Sequence, residues 1–94
     1  VVFTSNVTAS VNVAINAVVR VLLAEPGHHV LATTHEYGAC ERAWAFALES
    51  AYGPGSAENK YRRVPLSALR DDPSCTPEVV AAEFISHFTA DTRV

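Results

Sequence analysis

The sequence predicts an α/β fold in which the strands of a mostly parallel sheet alternate with helices. Two apolar runs, at residues 1–4 and 29–33, are each followed by a stretch with helical spacing of apolar residues. The second run has no polar alternation, which is typical of a strand that is covered on both faces. Right-handed crossovers place the C-terminal ends of such strands at one edge of the sheet, where ligands bind.

The first predicted unit is a strand, a turn and a helix. Residues 1–4 are the strand candidate, and the small polar residues of Ser5–Asn12 lead directly into the helix. Pro26 and Gly27 end this helix. Its apolar positions recur at helical spacing: Val11, Ala14, Ile15, Val18 and Leu22.

The second predicted unit is the strand at 29–33 and a helix from Gly38 or Ala39 to Ala51, closed by residues 52–55. One face of this helix is apolar: Cys40, Ala43, Trp44, Ala47, Leu48 and Ala51. Trp44 is expected in the core or at a domain contact. Residues 56–59 read as a polar connection to a weaker third strand at 61–65, for which an edge strand or a loop is an alternative.

A last helix is predicted to begin after Thr76, with Thr76 as the N-cap and Pro77 at the first helical position. Val80, Phe84 and Phe88 would form its buried stripe. Residues 92–94 have the composition of a beginning strand. We therefore expect the chain, residues 1–94, to be part of one domain that is truncated at both ends.

Composition excludes several classes of partner. The net charge is −3 with both signs interspersed, so no basic stripe is available for nucleic acid or an anionic membrane. No long apolar segment is present, and we expect a soluble, cytoplasmic protein. Cys40 and Cys75 lie in dissimilar surroundings and are expected to be free thiols.

The turn at Ser5–Asn12 is a candidate phosphate site. A helix N-terminus presents unpaired amides and the positive end of the helix dipole, and both favour an anion. The amides of Val7 and Thr8 and the Thr8 hydroxyl would face that anion. Alternatively, Thr8 and Ser10 only cap the helix.

A second informative segment, Thr33–Cys40, follows the second strand and carries an aromatic residue at the ligand edge. Together the two segments resemble the class V aminotransferase family of fold-type I pyridoxal-phosphate enzymes, most closely its isopenicillin-N-epimerase-like branch. Residues 6–8 are similar to the N-A-T turn of that family, with Val7 in place of alanine, and residues 35–40 are similar to its H-E-Y-x-A segment. The resemblance covers nearly the whole chain.

The resemblance implies the early part of the cofactor-binding large domain of an aspartate-aminotransferase-like enzyme. Pyridoxal 5'-phosphate would be bound through Val7 and Thr8, Tyr37 would stack on its ring, and His35 is a further candidate at its edge. The substrate would be an amino acid and the full-length enzyme a homodimer. Epimerisation, transamination, desulfuration and C–S cleavage all stay open, so a cysteine desulfurase or C–S lyase of the same family is an alternative.

No catalytic residue is assigned within this chain. The family's cofactor-binding lysine and the aspartate at the pyridine nitrogen come later in sequence. Lys60 is the only lysine and is interpreted as a solvated surface residue, while Asp71, Asp72 and Asp91 do not follow an apolar strand. We therefore expect this chain to be inactive alone.

Each candidate also has a structural alternative. Tyr37 could be a half-buried packing residue, His35 could cap a strand, and Asn12 is expected to bridge to a neighbouring loop. His28 and His29 are predicted to form a solvated turn, and the spacing of the histidines and Cys40 matches no zinc site. A nucleotide- or flavin-binding domain and a non-catalytic interaction domain are alternatives of other classes.

Overall fold

The computed structural model describes residues 1, 3–66 and 71–94. In these ranges the chain forms a mixed α/β structure with a two-stranded parallel sheet and four helices. The coarse fold class predicted from the sequence is therefore confirmed. The elements in chain order are α1 (Val7–Leu22), β1 (Val30–Thr33), α2 (Gly38–Tyr52), α3 (Ser56–Lys60), β2 (Tyr61–Val64) and α4 (Pro77–Ser86).

The sheet is built around β1. On one side β1 pairs in parallel with β2, with Val30 opposite Tyr61 and Thr33 opposite Val64. On the other side residues 91–94, here called the 91–94 segment, run parallel to β1 and form a bridge between His29 and Thr92. The expectation that a strand begins at residues 92–94 agrees with this pairing.

The core lies where α1 and α2 pack on each other and on β1. Its buried members are apolar and come from these three elements and the residue that ends α1: Ile15, Val19, Leu23, Val30, Ala47 and Leu48. Trp44 packs against this cluster and its ring lies 6.2 Å from that of Tyr61. The predicted apolar faces of the first two helices are thus confirmed at their central positions, whereas Ala14, Leu22 and Ala51 are exposed.

The predicted first strand is absent from the described residues. Residues 1, 3 and 4 are not in a strand, Val1 and Phe3 are exposed, and residue 2 lies outside the described ranges. A strand requires a hydrogen-bonded neighbour, and none lies beside these residues in the described part of the chain. Thr4 instead bonds within the turn, its hydroxyl donating to the Asn6 carbonyl at 3.1 Å.

Residues 56–59 belong to the short helix α3, so their prediction as a loop is wrong. Gly53 and Gly55 adopt φ angles of 92° and 81°, which are accessible to glycine, and they reverse the chain after α2. The Ser56 hydroxyl then donates to the Leu48 carbonyl at 2.9 Å and ties α3 to α2.

The last helix begins as predicted. Thr76 is its N-cap and Pro77 its first residue, and the Thr76 hydroxyl accepts a bond from the Val79 amide. Its predicted buried stripe is wrong, because α4 buries no side chain fully in the described structure and Phe88 is exposed. Among the described residues, no helix combines the length and apolarity needed to cross a membrane.

Candidate functional site

The two segments singled out in the sequence meet in one groove. The start of α1 and the start of α2 enclose a cavity of about 90 Å³, here called the α1–α2 groove. It is lined by Val7, Thr8, Val11, Asn12, Tyr37, Ala39, Cys40 and Ala43. The structure therefore brings three of the four predicted site residues, Val7, Thr8 and Tyr37, to the same place.

The first turn of α1 is arranged to present amides. Asn6 is the N-cap, and its Oδ1 accepts the Ala9 amide at 2.8 Å. The preceding amides, those of Val7 and Thr8, are helix-terminal donors that no carbonyl of the same helix can reach. They lie at the positive end of the helix dipole, which makes this end of the groove suitable for an anion.

Thr8 and Ser10 do not cap α1, so that alternative is wrong. Asparagine is among the residues favoured at an N-cap, and the position of Asn6 directly before the apolar period is the signal that would have identified it. The Ser10 hydroxyl bonds to the Asn6 carbonyl at 3.3 Å and also contacts the Thr4 hydroxyl. These contacts stabilise the turn and leave Thr8 facing the groove.

Tyr37 presents its ring rather than burying it. The residue is 72% exposed and immediately precedes α2, where its amide donates to the Glu36 carboxylate at 2.9 Å. The interpretation of Tyr37 as a half-buried packing residue is therefore wrong. An exposed aromatic face beside a set of free amides can lie against a flat ligand.

His35 lies outside the residues that line the α1–α2 groove. It is exposed, and its amide donates to the Thr33 hydroxyl at 3.2 Å in the loop after β1.

Two lining residues, Cys40 and Asn12, were not predicted as site residues. Cys40 is a half-buried free thiol, and Cys75 is also free, as expected.

Asn12 does not bridge to a loop as predicted. Its side-chain nitrogen donates to the Thr8 carbonyl one turn earlier in α1, at 2.9 Å. The spacing of four residues between Thr8 and Asn12 is the signal for this contact. The bond fixes the first turn of the helix beside the groove.

Within the described ranges, no group of His, Cys, Asp and Glu residues is arranged to hold a metal ion.

Lys60 is buried, and its prediction as a solvated surface residue is wrong. It is 7% exposed, and its Nζ donates to the carbonyls of Leu23 at 2.7 Å and Glu25 at 2.6 Å. The same Nζ lies 3.4 Å from the His28 carbonyl and 4.9 Å from the centre of the Tyr52 ring. The end of α1 leaves carbonyls without helical partners, and α3 turns the lysine toward them.

Lys60 is also far from the groove. The sixteen residues of α1 span roughly 24 Å, and the ammonium binds at the opposite end of this helix from Val7. Lys60 therefore stabilises the chain reversal after α1 and does not face the predicted phosphate site.

A second groove of about 310 Å³ lies beside β2 and includes Tyr61, Glu41 and Arg63. Arg63 and Glu41 form an ion pair at 3.3 Å. Burial, followed by the nearby Glu41 and Glu36 carboxylates, raises the pKa of Tyr61 to about 12. Its buried hydroxyl has no hydrogen-bond partner among the described residues.

A third groove, about 410 Å³, lies between the C-terminal halves of α1 and α2 and includes Arg20 and Tyr52. Helix C-termini present carbonyls and the negative end of the dipole, so this groove does not favour a phosphate despite its size.

Comparison with known proteins finds no matching family model, no matching curated protein and no matching solved structure. The functional assignment therefore rests on the chemistry of the α1–α2 groove.

Proposed function

We propose that this chain is the early part of the cofactor-binding large domain of a pyridoxal-phosphate-dependent enzyme that acts on an amino acid, related to the class V aminotransferases. The observation that carries the proposal is the meeting of Thr8 and Tyr37 in one groove. Residues 6–8 and 35–40 each resemble a segment of that family, and the groove is lined by Val7 and Thr8, at the N-terminus of a helix, and by an aromatic ring.

The size of the groove suits a phosphate group rather than a whole cofactor. Sites that enclose a small molecule usually measure about 300–1,000 Å³, whereas this groove measures about 90 Å³. The Val7 and Thr8 amides and the Thr8 hydroxyl would donate to the phosphate. Further parts of the full-length enzyme would enclose the rest of the cofactor.

Tyr37 would hold the tilt of the cofactor ring by lying against one face and keeping water from it. Bound pyridoxal phosphate supplies an electron sink that stabilises negative charge at the substrate carbon. Positioning is therefore the contribution of this chain, and an exposed ring that already borders the groove needs little rearrangement to provide it.

The covalent bond to the cofactor is expected from a lysine elsewhere in the full-length enzyme. Lys60 is the only lysine here, and its ammonium is bound to carbonyls at the far end of α1. The chain alone would then be inactive, and the full-length enzyme a homodimer. Its reaction would be an epimerisation, a transamination, a desulfuration or a C–S cleavage.

The test uses cofactor retention by the full-length protein and the variant Thr8→Val. Hydrogen bonds to a charged group contribute about 1.5–3 kcal/mol, so the loss of one hydroxyl donor is expected to weaken affinity by about ten-fold or more. Thr34→Val is the matched control, because Thr34 lies in the loop after β1 but outside the groove lining. Unchanged affinity in Thr8→Val would remove Thr8 from the site.

The colour of the full-length protein tests the proposal as a whole. We expect a yellow protein whose absorbance is lost on treatment with hydroxylamine and restored by pyridoxal phosphate. A colourless protein that takes up no pyridoxal phosphate contradicts the proposal. Purification with a bound flavin or nucleotide would instead support the nucleotide- or flavin-binding alternative.

A further inference from the structure

We propose that His28 and His29 make the docking of the 91–94 segment onto β1 dependent on pH. The segment is held when both imidazoles are neutral and is released in mild acid. The basis is a set of contacts in which each of these neighbouring histidines bonds to a different side chain of the segment.

The 91–94 segment is attached to β1 and to the preceding residue, His29, by three backbone hydrogen bonds. The His29 amide donates to the Asp91 carbonyl at 3.1 Å, the Arg93 amide to the His29 carbonyl at 3.0 Å, and the Leu31 amide to the Val94 carbonyl at 2.8 Å. The side-chain contacts of the two histidines add to these three backbone bonds, so their loss is expected to weaken the docking.

His28 is bonded in a way that requires its neutral form. Its Nδ1 lies 3.0 Å from the Leu22 carbonyl, which can only accept, so Nδ1 carries the proton. Its Nε2 lies 2.7 Å from the guanidinium of Arg93 and must accept from it. Protonation places a second donor and a second positive charge against Arg93, and no acceptor is left between them.

His29 is held by equivalent contacts in the interior. It is 1% exposed, with Nδ1 3.2 Å from the Gly27 carbonyl and Nε2 3.0 Å from the Thr92 hydroxyl. The carbonyl again assigns the proton to Nδ1, and the Thr92 hydroxyl donates to Nε2. A proton on Nε2 would create a buried positive charge with no opposite charge bonded to it, which is strongly unfavourable.

The other charged groups around the pair favour this response. The Lys60 ammonium, which lies 3.4 Å from the backbone carbonyl of His28, and the guanidinium of Arg93, which contacts the His28 ring, are both positive. The Asp91 carboxylate lies against Gly27 and acts in the opposite direction, but it is exposed, so solvent screens it. Glu25 is exposed as well.

Amide hydrogen exchange of the 94-residue chain measures the docking directly. Between about pH 7.5 and about pH 5, where imidazoles change charge, the amides of His29, Leu31 and Arg93 should lose protection by about ten-fold or more after correction for intrinsic rates. The amide of Leu48 in α2 should change by less than about two-fold. Equal protection of the first three amides at both pH values would overturn the proposal.

Variants and imidazole spectra identify the groups responsible. Glutamine keeps a donor and an acceptor but does not titrate here, so the double variant His28→Gln/His29→Gln should show the same protection at both pH values. His35→Gln, in an exposed loop, should keep the full response. A double variant that responds like the unmodified chain overturns the proposal. Carbon-13 shifts showing that both imidazoles stay neutral while the segment is released would do so independently of any variant.

Discussion

Replacing Lys60 with methionine should remove a large share of the stability of this chain. Methionine keeps an unbranched stem of similar length, so the core packing of the stem is retained while the ammonium is removed. The change removes the donor that now lies 2.7 Å from the buried Leu23 carbonyl and 2.6 Å from the Glu25 carbonyl. The Glu25 carbonyl keeps the His28 amide as a donor, whereas the Leu23 carbonyl loses its donor. It also removes the cation from above the Tyr52 ring.

The magnitude follows from these interactions. An unsatisfied buried acceptor costs about 1–3 kcal/mol, and a cation over an aromatic ring contributes about 0.5–1 kcal/mol or more. Because the variant leaves one buried carbonyl without a donor and lacks the cation over the ring, we expect its free energy of unfolding to fall by about 2–4 kcal/mol. At about 4–8 °C per kcal/mol for a domain of this size, Tm should fall by at least about 8 °C.

Thermal and urea unfolding followed by circular dichroism measure this decrease. Arg62→Met is the matched control, because Arg62 is an exposed cation on β2, and surface substitutions usually change stability by no more than about 0.5 kcal/mol. A Tm for Lys60→Met within about 4 °C of the control would correspond to less than about 1 kcal/mol and would refute the reasoning.

Three further predictions concern single side chains. Asn6→Ala removes the acceptor of the Ala9 amide and should destabilise the chain by about 1 kcal/mol, measured by urea unfolding; a change below about 0.3 kcal/mol would argue against the cap. The pKa of Tyr61 is raised from 10.0 to about 12, so the native state keeps a proton that the unfolded state loses, and stability should fall as pH rises from about 10 to about 12; Tyr61→Phe should lose this dependence and show no loss at neutral pH, because the hydroxyl has no partner among the described residues. If the proposed function is right, Tyr37→Ala in the full-length protein should shift the absorbance of bound pyridoxal phosphate and slow turnover more than it lowers Tm, with Tyr37→His tolerated better; a spectrum disturbed by His35→Ala but not by Tyr37→Ala would assign the stacking role to His35.

Local patterns predict the elements whose causes are local. The N-cap Thr76 with Pro77 marks the start of α4, and the unbroken apolar run after His29 marks β1. The sequence also led to the groove, but for a reason that does not hold: a common edge of strand ends requires a strand before Val7, and residues 1, 3 and 4 form none. Val7 and Thr8 lie beside Tyr37 because the starts of α1 and α2 enclose the groove together.

The errors come from interactions between residues distant in sequence. The residues next to Lys60 in sequence are polar, and they led to its prediction as a solvated side chain. They do not show that the Leu23 and Glu25 carbonyls, which follow α1, lie within reach of its ammonium. His29 was predicted to lie in a solvated turn, but it is buried because the 91–94 segment returns to cover it. Residues 1, 3 and 4 have the composition of a strand, but composition does not supply the neighbouring strand that would pair with them.

The central position of β1 has a consequence for the order of folding. Its two neighbours, β2 and the 91–94 segment, lie roughly 30 and roughly 60 residues further along the chain, so both pairings close long loops. Doubling the loop adds only about 0.6 kcal/mol of closure entropy, but the second pairing closes the longer loop, which contains α4. We therefore expect α1, α2 and β1 to collapse first and the outermost pairing to form last, with a folding rate below that of a helical bundle of similar length.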